Sequence, residues 1–261
     1  MTEARDSIVH LANLCLRFIR HTKDRKYDRI VLPEDVARKT ALINRLHDWE
    51  ATLDEMLLGD HISSRDLDAA KTLRIHHIIC HIWVGRCDIP EESSNDVHMP
   101  AFETAVDLAE SIQGLAATCG QRKDLNSSSF LFDMEIVSPI YFIGIKCRHP
   151  QIRRRAIRLL QGTWRREGLW DSHMAAAIAE RCVELEEVNL TTLDGSELPA
   201  EHDRVYNINI ESEPGMDPNH HLITIFQKPD GIEGPWKIWK EVVQLHPQHS
   251  YTAGPRPIHT L

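Results

Sequence analysis

Four side chains in one short stretch, His76, His77, Cys80 and His81, have the types and spacing of metal ligands. His77 and His81, like His76 and Cys80, are four residues apart, so on a helix each pair projects from one face and could hold an ion. Their neighbours Ile75, Ile78, Ile79, Ile82 and Trp83 demand burial, however, and spacing fixes no acidic partner. A core helix with no metal is therefore the expectation. No Glu-x-x-His, His-Glu-x-x-His, Gly-x-Ser-x-Gly, phosphate-cradling Gly-x-x-x-x-Gly-Lys or dinucleotide-binding glycine pattern occurs. The sequence thus assigns no catalytic residue and no cofactor.

A second constellation is electrostatic. Lys146, Arg148, Arg153, Arg154, Arg155, Arg158, Arg165 and Arg166 form a run of eight cations with no acid among them, which leaves −17 for the rest of a chain whose net charge is −9. Clustered guanidinium groups recognise planar anions bidentately, so one reading is a docking surface for phosphate or an acidic protein. The other is internal ion pairing, with Glu180, Glu184, Glu186 and Glu187 as partners on the following helix. The flanking Trp164 and Trp170 read as packing residues rather than base-stacking platforms.

What must position these groups is a chain of 261 residues, 42% apolar and 26% charged, enough for one sizeable domain or two small ones. The polar start lacks a secretory signal, and the longest apolar stretch, 136–145, is broken by Ser138 and Pro139, so a soluble chain is expected. Six cysteines without close pairs suit reduced thiols. The acidic balance argues against a surface that clings everywhere to nucleic acid.

Apolar periodicity predicts a helix through Ile8, Leu11, Cys15 and Phe18. A second has Pro33 in its first turn and stops near Gly59, and a third is capped at Ser63–Ser64 and runs to Gly85. After a loop at 88–95, a fourth helix runs from about Pro100 to Ala116, and a polar linker covers 120–129. The apolar segment 130–147 is buried, a helix starts at Pro150, and another is capped by Asp171 or Ser172. Beyond Asn189 the pattern changes to alternation in 205–210, a returning strand in 222–227, a third extended segment at 236–239, and a frayed end from Pro247. The expected fold is mainly α, packed antiparallel helices over 1–190 with a small antiparallel β-sheet in a β-rich extension, 191–261, packed on them.

The stretch Phe132-Asp133-Met134-Glu135-Ile136-Val137-Ser138-Pro139-Ile140-Tyr141-Phe142, continuing into Lys146-Cys147-Arg148-His149-Pro150 and Ile152-Arg153-Arg154-Arg155-Ala156, resembles the C-terminal region of fungal binuclear zinc-cluster transcription factors. The likeness extends through Arg165-Arg166-Glu167-Gly168-Leu169-Trp170-Asp171, Ala179-Glu180-Arg181, Gly234-Pro235-Trp236 and Trp239. It implies a helical regulatory and protein-interaction domain acting in the nucleus, with other proteins, among them transcriptional regulators, as partners in homo- or hetero-oligomers. The family's DNA-gripping cluster of six close-spaced cysteines has no counterpart here, where successive gaps are 65, 7, 32, 28 and 35. Direct DNA binding by this chain alone is therefore not expected. The alternative is a small-molecule-binding protein or enzyme with a pocket between helices lined by His77, His81, Trp83, Phe142 and Trp170.

Overall fold

The computed structural model describes residues 1–23, 25–59, 62–112, 136–162, 166–211, 216–217 and 219–245. Three long helices open the chain. Helix α1 (Thr2–Thr22) buries Ile8, Leu11, Cys15 and Phe18 along one stripe, and α2 (Pro33–Leu57) starts with proline in its first turn and buries Leu42, Leu46, Trp49 and Leu53. Helix α3 (Ser64–Arg86) is capped by Ser63, whose Oγ accepts from the Asp66 amide at 3.1 Å. It is buried around most of its circumference because it is sandwiched. Ala70, Leu73, Cys80 and Val84 face α1 and α2 in one core, while Ile75, Ile79 and Ile82 face the rest of the molecule in a larger one.

The segment 88–95, expected to be a loop, runs into a 3-10 turn, Glu92–His98, that leads directly into α4 (Met99–Ser111). The turn is held from far along the chain: the Glu201 carboxylate accepts from the Glu92 amide at 2.6 Å and the Ser93 amide at 2.8 Å. Such a partner leaves no local signal. Helix α4 stops at Ser111, short of the expected Ala116, and 113–135, with the expected linker, lie outside the described residues. Helix α5 (Val137–Lys146) carries Pro139 in its first turn, where the missing amide is harmless. Helix α6 (Pro150–Gly162) follows after three residues. A small hairpin of β1 (Arg166–Glu167) and β2 (Trp170–Asp171) then turns at Gly168, whose φ of +58° suits glycine. The sequence reading did not anticipate it, yet it places the Glu167 carboxylate 2.8 Å from the Val137 amide at the start of α5. Asp171 ends the hairpin and caps α7 (Ser172–Glu186).

The C-terminal sheet is antiparallel in the order β3 (Val205–Glu211), β4 (His220–Gln227), β5 (Lys237–Gln244). The last strand is longer than the expected 236–239. Ile208, Ile210, Ile223, Ile225, Trp239 and Val243 share one face and join the larger helical core, so sheet and helices enclose common apolar material. The fold is mainly α, as expected. No helix among the described residues is long and apolar enough to cross a membrane.

Asp171 accepts from the amides of His173 and Met174, both at 3.0 Å, satisfying two donors that have no partner within the first turn of α7. Replacing it with alanine is expected to lower the unfolding free energy by about 1 kcal/mol, read from the urea midpoint at unchanged m-value.

Candidate functional site

The basic run divides into an inner and an outer set. Arg148 and Arg153 are fully buried and Lys146 nearly so. They converge on two buried carboxylates, Glu92 and Glu186. Glu92 accepts from Arg86 at 2.8 Å and Lys146 at 2.7 Å, and Arg148 Nη1 lies 3.2 Å from it. Glu186 accepts from Arg148 Nη2 at 2.9 Å and from the Val205 amide at 2.7 Å, with Arg153 Nη2 at 2.9 Å from its other oxygen. Remaining donors find backbone carbonyls: Lys146 reaches Tyr206, Arg148 reaches Val205, and Arg153 reaches Gly144. Burial alone would raise the Glu92 and Glu186 carboxyls, but the surrounding cations bring both below the usual carboxylate range. The network ties α3, the 3-10 turn, α5, α6, α7 and β3 at one point.

The outer set is paired nearer the solvent. Arg154 binds Glu187, and Arg155 reaches Glu110 and Asp107 on α4. Arg158 and Arg166 are exposed, and Arg165 lies outside the described residues. Of the four acids expected as partners, Glu186 and Glu187 serve the run, whereas Glu180 accepts from Gln161 and Glu184 from Arg181. Glu92, the most heavily engaged carboxylate, escaped the sequence reading because it sits 54 residues before Lys146 in a polar stretch.

The five candidate pocket residues separate into different environments. His77 is buried with its ring stacked on Trp49, centroids 5.4 Å apart, and His81 meets His47 of α2. Trp83 faces the other way and packs edge-on against Phe142 at 5.4 Å, while Trp170 lies against Tyr141. The two sets belong to the two cores on opposite sides of α3 and share no wall. A recess of about 20 Å³, room for a single water, does occur elsewhere, between Phe18, Lys26, Val31, Asp35, Lys39 and Cys87.

A surface that the sequence reading did not single out lies on the outward face of the sheet. There Leu222 pairs across the strands with Val242, and Phe226 with Ile238. Ile238 and Val242 remain 54% and 52% exposed. Trp236 sits at one end of this strip, 6.3 Å from Phe226, with Lys228 Nζ 4.5 Å from its ring centroid. Alternation within 205–210 and 222–227 was the available signal, but which face is covered depends on where α7 docks. Comparison of the chain with family models, with curated proteins and with solved structures finds no match.

Glu186→Gln leaves two buried guanidinium groups under-compensated and is expected to destabilise the protein by about 3–5 kcal/mol at pH 7. The carboxyl is held below its ordinary value of 4.5, so its contribution is complete well above that pH and declines as the pH falls toward the folded-state value. Urea unfolding of both proteins at pH 7 and pH 3 should show the gap narrowing in acid. An equal gap at both pH values would contradict the assignment.

Proposed function

We propose that the chain is a regulatory and protein-interaction module of transcription-factor type, similar to the helical body of fungal zinc-cluster regulators, which acts in the nucleus through partner proteins rather than by gripping DNA itself. The observation that carries this reading is the outward sheet face, where Ile238 and Val242 stand exposed beside Leu222 and Phe226. Exposed apolar side chains set in two pairs on either side of the Thr224–Lys240 pair give a partner apolar footholds with a polar contact between them. The resemblance of residues 132–156 and 165–171 to the family supplies the kind of partner.

Of the two readings open for the basic run, docking surface or internal pairing, its inner part supports pairing. With Lys146, Arg148 and Arg153 engaged internally, only Arg154, Arg155, Arg158 and Arg166 are placed to meet a partner among the described residues. Substituting Arg153 by glutamate would test folding, not docking. The alternative of a ligand pocket between helices requires His77 and His81 to share a cavity with Trp83, Phe142 and Trp170, which lie on opposite sides of α3.

Fused to an unrelated DNA-binding domain, the chain is expected to shift a reporter's output at least several-fold in a fungal host. The double substitution Ile238→Lys and Val242→Lys should abolish that shift without lowering the thermal midpoint. Output equal to that of the DNA-binding domain alone would contradict the proposal, as would a full response from the stably folded double variant.

A further inference from the structure

Three imidazoles meet where α2 packs on α3: His47 from the first helix, His77 and His81 from the second. His47 Nε2 and His81 Nε2 are 3.2 Å apart with the ring planes within 25° of each other, so one ring donates a hydrogen bond and the other accepts it through a bare nitrogen. A proton added to the accepting nitrogen makes it a second donor, and the bond is lost. His77 lies one turn before His81, with its ring centroid 6.3 Å away. Its Nε2 is 3.0 Å from the Leu46 carbonyl, which can only accept, so that nitrogen carries the proton and Nδ1 is the bare one. Nδ1 is buried without a hydrogen-bond partner, and a proton arriving there would charge a ring shut away from water.

A fourth ring, His98 of the 3-10 turn, lies over Gly85 one further turn along α3, where an added Cβ would meet it at 3.7 Å. The charged groups facing these rings offer little to balance added protons. From α2 comes Glu50, whose Oε1 is 3.9 Å from His77 Nδ1, but Arg74 contests the same oxygen at 3.7 Å and the Glu50 side chain is 41% exposed. From α3 come two cations, Arg74 beside His77 and Arg86 near His98, and the rings themselves repel one another once charged. Burial, reinforced by these neighbours, outweighs Glu50 and holds His77, His81 and His98 below the ordinary histidine value of 6.5. As the pH falls, an unfolded chain takes up protons at these positions first. The packed cluster therefore stabilises the fold fully above a pH of about 6.5 and progressively less below it.

We propose that His47, His77, His81 and His98 form an acid-sensitive latch, in which protonation of the rings in mildly acidic solution releases α2 from α3. Loss of the His47–His81 bond, a charge on buried His77 and repulsion along α3 all act on one helix interface, so together they drive a single opening. The latch works apart from the Glu92–Glu186 joint, whose carboxyls stay ionised over the same range because the surrounding cations hold them below the usual carboxylate values.

The test uses the full chain and follows amide hydrogen exchange in α2, corrected for the intrinsic pH dependence of exchange, from about pH 7.5 to about pH 5.5, beside histidine ring titrations by NMR. In wild type the opening of α2 is expected to rise at least about tenfold over this range, because each ring kept neutral by packing contributes a factor of up to about ten per pH unit below its unfolded value. The double substitution His77→Gln and His81→Gln keeps polar groups in place of the rings and removes their titration. Whatever its stability at neutral pH, its α2 opening should rise less than about threefold over the same range. A flat response in wild type, an equal rise in the double variant, or His77 and His81 rings that titrate at or above the ordinary histidine value would overturn the proposal.

Discussion

Two carboxylates shut away from water, Glu92 and Glu186, fix where the parts of this molecule meet. A buried charge is tolerated only when opposite charges and directed hydrogen bonds surround it, and guanidinium groups meet that need in few geometries. Here Arg86, Lys146, Arg148 and Arg153 approach from the end of α3, the end of α5, the link before α6 and α6 itself. Glu186 extends the joint into the sheet by accepting from the Val205 amide, and Arg204 adds a bidentate pair with Asp96 at 2.7 Å for both contacts. Apolar packing supplies most of the driving force, but it is non-directional, and the ion network is what selects one register of helices against sheet.

This constraint decides which parts of the surface are available for recognition. The most cationic stretch of the sequence is largely an internal fastening, and its outward remainder is partly neutralised by Asp107, Glu110 and Glu187. The outward face of the sheet instead presents exposed apolar side chains, Ile238 and Val242, on either side of the Thr224–Lys240 pair, and its reverse side joins the main core. Rigid presentation favours a partner-binding role, since little ordering entropy remains to oppose association.

Much of the fold was legible in the sequence, for local reasons. Proline at 33 and 150, the Ser63 and Asp171 caps and stripes such as Ile8-Leu11-Cys15-Phe18 each act within a turn or two of their own position. Period-two alternation exposed β3 in the same way. The 3-10 turn at 92–98 and the hairpin at 166–171 were not legible, because the first is held by Glu201 and the second is two residues per strand. The candidate sites fared less evenly for the same reason. Glu186 and Glu187 could be named because their helix follows the basic run, whereas Glu92, Asp107 and Glu110 could not, and the two sides of α3 look alike until their partners are known. His77 and His81 carried a spacing signal, but His47 and Glu50 join them only through helix packing.

The most direct test of this account is a double-mutant cycle between Glu92 and Arg148, using Glu92→Gln, Arg148→Met and the pair together, with unfolding free energies from urea denaturation. If the network is one cooperative joint, the two substitutions should be strongly non-additive, with a coupling energy of about 1–3 kcal/mol. Additivity to within about 0.5 kcal/mol would mean that each charge is accommodated independently, and would contradict the claim that the joint fixes the fold.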